Sequence, residues 1–261
     1  MKFTKKSLGQ NFLKDKNIIK KIINIINIKN RNIVEIGPGN GALTDEILKS
    51  KPKSLILIEK DYNLFKELKL KYKNINFIDI YCLDFLKFDL ENNIKKNSVI
   101  FGNLPYNISS QIHVKLLKFK NWPPEYSDLI LMFQKELGDK IIAKFPSSNY
   151  GRISILSNML LDYKKKFLVS PNCFKPKPKV NSLVIHFKPR SKKLSKLKNI
   201  NNLEKVTNIL FSNKRKMINK NIKKLLNTEE INEIDNIDLN YRPSEIDPSI
   251  YYRITEIFEK G

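Results

Sequence analysis

The tetrapeptide Asn103-Leu104-Pro105-Tyr106 puts a carboxamide, a rigid imide and an aromatic face into consecutive residues. A carboxamide oxygen can accept a hydrogen from the exocyclic amine of a base, the proline fixes the turn, and the tyrosine offers a face for stacking. The chemistry this set suits is transfer of a methyl group to an amine nitrogen. The apolar run from Ser98 to Gly102 reads as a buried strand, and Gln111 to Phe119 as a helix. The tetrapeptide thus sits where a strand ends, the place at which open α/β sheets bind their ligands.

A second set precedes it. Glu35-Ile36-Gly37-Pro38-Gly39-Asn40-Gly41 follows one strand and opens a helix. Glycine permits tight turns and close backbone approach to a ligand. The dinucleotide fingerprint is GxGxxG, whereas the spacing here is GxGxG with a proline inside. That departs from a pyrophosphate cradle and suits a ligand with amino-acid and nucleoside parts, such as S-adenosylmethionine. Glu59 ends the next strand about 20 residues on, where the related dinucleotide fold places the acid that grips ribose hydroxyls. Asp84, after the third strand, could accept from an adenine amine. Gly37, Gly39, Glu59, Asp84 and Asn103 at successive strand ends form a constellation that no one of them makes alone.

These residues need a frame. Asp15 can cap a helix with an apolar stripe of Ile18, Ile19, Ile22, Ile23 and Ile26. Strands are expected over 32–36, 54–58, 75–80, 99–101 and 129–133, with helices over 43–49 and 62–72 between the first of them. Such alternation predicts an α/β, Rossmann-like, mostly parallel sheet. After a turn-rich loop at 146–152, a helix is expected over 153–161 and strands over 167–169 and 182–187. Residues 189–198 read as a lysine-rich linker, and four short helices follow, over 203–211, 217–226, 229–234 and 248–258. The expected division is a catalytic domain at 1–189 and a small all-α domain at 190–261.

The chain carries 49 Lys+Arg against 26 Asp+Glu, a net charge of +23. That field favours polyanions, nucleic acid first. A coding bias toward Lys, Ile and Asn contributes to it, but the field acts whatever its origin. Cys82 and Cys173 stand far apart with no CxxC or histidine-rich neighbourhood, which argues against a zinc site or a disulfide framework and for no metal at all. The basic N-terminus leads into Ser7-Leu8-Gly9-Gln10 rather than an apolar segment, and no apolar run approaches membrane-spanning length. A soluble, cytoplasmic monomer is expected.

The motifs together closely resemble the ribosomal RNA adenine dimethyltransferase family. The resemblance is carried by Lys6-Ser7-Leu8-Gly9-Gln10-Asn11-Phe12-Leu13, Glu35 to Thr44, Asn103 to Ser109, Gln134-Lys135-Glu136, Tyr150 to Ser154 and Phe174 to Ser182. It runs from about residue 5 to 188, and Arg215-Lys216-Met217 continues it into the tail. It implies that Asn11, Leu13, Gly37, Glu59, Asp84 and Asn103 contact S-adenosylmethionine. Its small-subunit branch implies action on N6 of two adjacent adenosines near the 3′ end of 16S rRNA, within an immature small ribosomal subunit. Three places depart from the family pattern: Lys60 where an apolar residue is usual, Tyr81-Cys82-Leu83 before Asp84, and a tail poor in arginine.

In the expected mechanism, the Asn103 side-chain oxygen and the Leu104 carbonyl accept the two amine hydrogens and aim the nitrogen lone pair at the donor methyl. Tyr106 and Phe174 are expected to sandwich the extruded base, Phe174 from an exposed, proline-flanked loop. Lys164 to Lys166, Lys175, Lys177, Lys179 and the Lys214-Arg215-Lys216 cluster would hold RNA phosphates. A large-subunit rRNA adenine methyltransferase, a non-catalytic RNA-binding assembly factor and a DNA adenine methyltransferase remain open at this stage.

Overall fold

The computed structural model describes residues 11–261. The Lys6 to Gln10 part of the quoted motifs lies outside them. By spatial proximity the chain divides into two compact units. Of the described residues, the first takes 11–115, 123–138 and 162–189; the second takes 116–122, 139–161 and 190–261. A break falls at Pro189/Arg190, and two earlier segments join the tail in the second unit.

The first unit is built on a seven-stranded sheet. Its strands are β2 (Asn32–Ile36), β3 (Ser54–Glu59), β4 (Ile78–Cys82), β5 (Ser98–Asn103), β6 (Tyr126–Gln134), β7 (Leu161–Val169) and β9 (Ser182–Pro189), in the spatial order β4-β3-β2-β5-β6-β9-β7. Neighbours from β4 through β6 run parallel, and β9 lies antiparallel to β6. The central strands are apolar because helices cover both faces; Ile33, Val34, Leu55, Leu57, Val99, Ile100 and Phe101 are all buried. Strand order reverses between β2 and β5, the chain moving outward to β3 and β4 and then returning. Ile36 pairs with Gly102 across that switch point, so the glycine turn and Asn103 leave the sheet side by side.

Helix α1 (Lys16–Ile23) starts where the Asp15 carboxylate accepts from the N–H groups of Asn17 and Ile18, and it buries Ile19, Ile22 and Ile23. Helices α2 (Ala42–Lys49) and α3 (Tyr62–Lys71) follow β2 and β3, and Asp61 caps the latter. The short α4 (Leu90–Asn93) precedes β5, and α5 (Ser109–Leu116) follows it. Two short strands escape the sequence reading, β1 (Phe12–Leu13) and β8 (Phe174–Lys175), which pair antiparallel with Leu13 opposite Phe174. β7 is also longer than expected. It begins at Leu161, where a helix was anticipated, and its middle is exposed and rich in lysine.

α6 (Lys135–Ile141) leads from β6 into the second unit, which is helical: α7 (Arg152–Leu160), α8 (Ile200–Leu210), α9 (Asn219–Ile222), α10 (Thr228–Asn232) and α11 (Pro248–Phe258). Buried tyrosines tie it together through their hydroxyls. Tyr150 donates to the Ile246 carbonyl, Tyr251 to Pro243 and Tyr252 to Ile155. Among the described residues no helix is long and apolar enough to cross a membrane.

Candidate active site

A cleft of about 1120 Å³, counting the solvent at its mouth, opens at the carboxyl ends of β2 to β5. Asn11, Leu13, Gly37, Gly39, Glu59, Asp84, Asn103, Leu104 and Tyr106 all line it. Residues from five separate stretches of sequence therefore meet in one place, at the sheet's switch point.

The glycine turn has a left-handed backbone, with φ of 66° at Gly37 and 60° at Gly39. A Cβ on Gly39 would lie 2.9 Å from the Phe12 ring, whereas one on Gly37 would meet nothing within 4 Å. Gly39 is thus required by packing and conformation, and Gly37 leaves open space for a ligand. The Gly39 N–H donates to Glu59 Oε2 at 3.0 Å, and the Asp61 N–H donates to Oε1 at 2.8 Å. Glu59 is 6% exposed, and burial holds its carboxyl above the usual carboxylate range against those two donors. Each of its oxygens keeps a further lone pair, which matches the two hydroxyls of a ribose.

Glu35, 1% exposed, accepts from the Thr44 hydroxyl at 2.6 Å. Burial pushes its pKa up to about 8. It forms no ion pair among the described residues, so the cleft holds a buried acid whose natural complement is a cationic ligand. At the β4 end, Asp84 Oδ1 accepts from the Leu86 N–H at 3.0 Å and Oδ2 from Lys60 Nζ at 2.7 Å. Burial alone would raise this carboxyl, but Lys60 and the Leu86 N–H outweigh it and hold it below the usual range.

At β5, Asn103 Nδ2 donates to the Asn11 backbone carbonyl at 3.0 Å. A carbonyl only accepts, so this contact fixes which end of the carboxamide is nitrogen and leaves Oδ1 as the other. Beyond it the Leu104 N–H donates to the Met132 carbonyl at 3.3 Å, and the Tyr106 hydroxyl shares a hydrogen bond of 2.6 Å with Ser182 Oγ. Tyr106 is half-buried, and its ring borders the cleft.

Phe174 departs from expectation. It is 2% exposed and packs in the core with Leu13, Ile19, Ile22 and Val169, and it is not among the residues lining the cleft. Pro171 starts a short turn before it and Pro176 and Pro178 follow, but its own backbone is a strand residue paired with Leu13. Its ring therefore anchors β1, the segment that brings Asn11 to Asn103. The Asn11 contact itself had no signal in the sequence, since 92 residues separate its partners.

Residues 1–260 match the family model described as ribosomal RNA adenine dimethylase. The chain belongs to that family. The adenine dimethylase family transfers methyl groups from S-adenosylmethionine to adenine of ribosomal RNA, and the turn, acids and carboxamide above fit that cofactor. A relative from Pelagibacter ubique named ribosomal RNA small subunit methyltransferase A is 43% identical over 256 residues, 98% of this chain and 97% of its own length. A protein of the same name from Mycoplasma mobile is 39% identical over 95% of each chain. Among solved structures, a dimethyladenosine transferase from Plasmodium falciparum superposes with a TM-score of 0.77 at 27% identity, covering 95% of this chain and 98% of that one. The chain thus matches these three proteins over nearly their whole length, helical unit included.

Proposed function

We propose that the protein dimethylates N6 of two adjacent adenosines near the 3′ end of 16S rRNA, acting as a cytoplasmic monomer on an immature small subunit. The small-subunit name shared by the full-length relatives supports that choice of substrate over large-subunit rRNA or DNA. The glycine turn, Glu59 and Asn103, all present and brought to one cleft, speak against a factor that only binds RNA. A charge of +23 opposes self-association and favours the polyanion.

The single observation that carries the mechanism is the Asn103 contact. Because Nδ2 is committed to the Asn11 carbonyl, Oδ1 is left to accept an amine hydrogen from an adenine entering beside the glycine turn. In the first transfer the Leu104 carbonyl takes the second hydrogen, which draws the nitrogen toward pyramidal geometry and frees its lone pair; the amine gives up one proton to water at each transfer, so a single hydrogen is held in the second. Tyr106 stacks on the extruded base, whose unstacking costs a few kcal/mol. Bound along Gly37, Glu59 and Asp84, S-adenosylmethionine supplies an electrophilic methyl. Asn11 and Leu13 would line its site, and Glu59 would accept from the ribose. Positioning and fixed dipoles, rather than a strong base, lower the barrier. Residues 1–189 carry this chemistry. Residues 190–261 hold RNA with Lys214, Arg215 and Lys216, and the exposed lysines of β7 add to the phosphate contacts.

Incubation of labelled S-adenosylmethionine with unmethylated small subunits and, in parallel, with large subunits, followed by mapping of the label, tests the assignment. Label on two neighbouring adenosines near the 3′ end supports it. Label confined to large-subunit rRNA, or none on either subunit, refutes it.

A further inference from the structure

We propose that Lys60 is an electrostatic latch on the adenine end of the cofactor cleft, one that the incoming nucleoside must release. The inference rests on the cofactor reading above and adds to it a residue that weakens binding. Lys60 follows Glu59 at the end of β3, and Asp84 follows the end of β4, the neighbouring strand. The Leu83 N–H donates to the Glu59 carbonyl at 3.0 Å, which holds the two strand ends together. Across that junction Lys60 Nζ reaches Asp84 Oδ2 at 2.7 Å, and both residues line the cleft.

Both oxygens of the carboxylate already serve a donor. Its Oδ1 is committed to the Leu86 N–H as the cap of the short turn over 85–87. Oδ2 is the oxygen free of backbone donors; it keeps a second lone pair for an exocyclic amine, but the Lys60 ammonium on it draws charge away and weakens it as an acceptor. An ammonium is a charged donor and an adenine amine a neutral one, so the lysine has the stronger hold on that oxygen. The lysine side chain is 54% exposed, whereas the aspartate is 18% exposed. Lys60 can therefore swing its ammonium into water and leave its aliphatic stem beside the ring. The competition is modest, because a pair this exposed is weakened by solvent and by salt.

Two signatures follow. Affinity for an adenine-bearing ligand should rise with ionic strength as the latch is screened, opposite to the salt dependence of RNA binding. The effect should also require the amine: a purine with an oxo group in its place offers an acceptor where the exocyclic N–H stood, its hydrogen lying on N1 instead, and gains nothing when the latch opens.

The test is calorimetric titration of the full-length protein with S-adenosylhomocysteine, and with its inosine analogue, at low and at physiological ionic strength. Lys60→Met keeps the stem and removes the charge; Lys60→Arg keeps the charge. Lys60→Met should bind S-adenosylhomocysteine about two- to fivefold tighter than wild type at low salt, the range expected of an exposed ion pair. Lys60→Arg should stay near wild type, the inosine analogue should show no gain, and added salt should close the gap. Equal or weaker binding by Lys60→Met overturns the latch while leaving the cofactor site standing, as does an equal gain with both ligands. No binding of S-adenosylhomocysteine to any of the three proteins overturns the cofactor reading and the latch with it.

Discussion

Replacing Glu35 by Gln should remove a pH dependence that the structure ties to one carboxyl. Glu35 is 1% exposed and, among the described residues, accepts a single hydrogen bond, from Thr44. Burial is the largest influence on it, the negative charges of Glu59 and Asp45 add to burial, and the Thr44 hydroxyl and Lys71 oppose it; the outcome is a rise from 4.5 to about 8. A folded-state pKa above the unfolded one means that the folded chain holds the proton more tightly. This contribution to stability is therefore full below about pH 4.5 and is lost as the pH climbs through about 8. At roughly 1.36 kcal/mol per pH unit, that interval is worth about 5 kcal/mol. Urea denaturation of wild type and Glu35→Gln from about pH 5 to pH 8.5 reads it directly. Relative to wild type, the Gln variant should gain stability across this range at up to one proton's slope. Curves that stay parallel would refute the assignment of a neutral buried acid. A cationic ligand in the cleft favours the ionised form, so cofactor binding to wild type should also release a proton that Glu35→Gln does not release.

Gly39→Ala should cost about 1–3 kcal/mol in denaturation midpoint experiments, since it combines a left-handed backbone with a Cβ 2.9 Å from the Phe12 ring. It should also weaken S-adenosylhomocysteine binding, because the turn that donates to Glu59 shifts. Asp128→Ala should destabilise by about 1–3 kcal/mol, because it leaves buried His186 Nε2 without its partner at 2.8 Å and removes one partner of Ser127 Oγ. Burial pushes Asp128 upward, but His186, Ser127 and Lys188 outweigh it and hold the carboxyl below 3.8, so this stabilisation is present at neutral pH and lost as the pH falls through the depressed value. RNA affinity, measured by filter binding, should fall by orders of magnitude from low to physiological salt, as expected when several lysines each neutralise a phosphate.

Much of the frame was legible because it rests on periodicity. Apolar runs of five or six residues separated by helical stripes can be read without knowing their neighbours, and the residues at the ends of those runs are the ones that line the cleft. What escaped depends on contacts between distant segments. Two-residue strands such as β1 and β8 have no period to detect, so the pairing of Leu13 with Phe174 was invisible, and with it the burial of the Phe174 ring. The lysines of β7 hid an edge strand whose polar middle faces water. The sequence reading placed Asn103 in the site from its type and position. Its orientation, set by a carbonyl on residue 11, was not readable, and the pairing of Lys60 with Asp84 depends on β3 lying beside β4. Residues 116–122 and 139–161 join the tail through packing that local composition does not mark.

The claim on which the rest depends is that the Asn103 carboxamide oxygen receives the adenine amine. Single-turnover methyl transfer to unmethylated small subunits by Asn103→Ala, with S-adenosylhomocysteine affinity measured on the same preparation, tests it most directly. The account predicts a rate lower by about 100-fold or more, the scale of losing one aimed hydrogen-bonding group at a reacting centre, with a much smaller change in ligand affinity. A rate within a few-fold of wild type would contradict it.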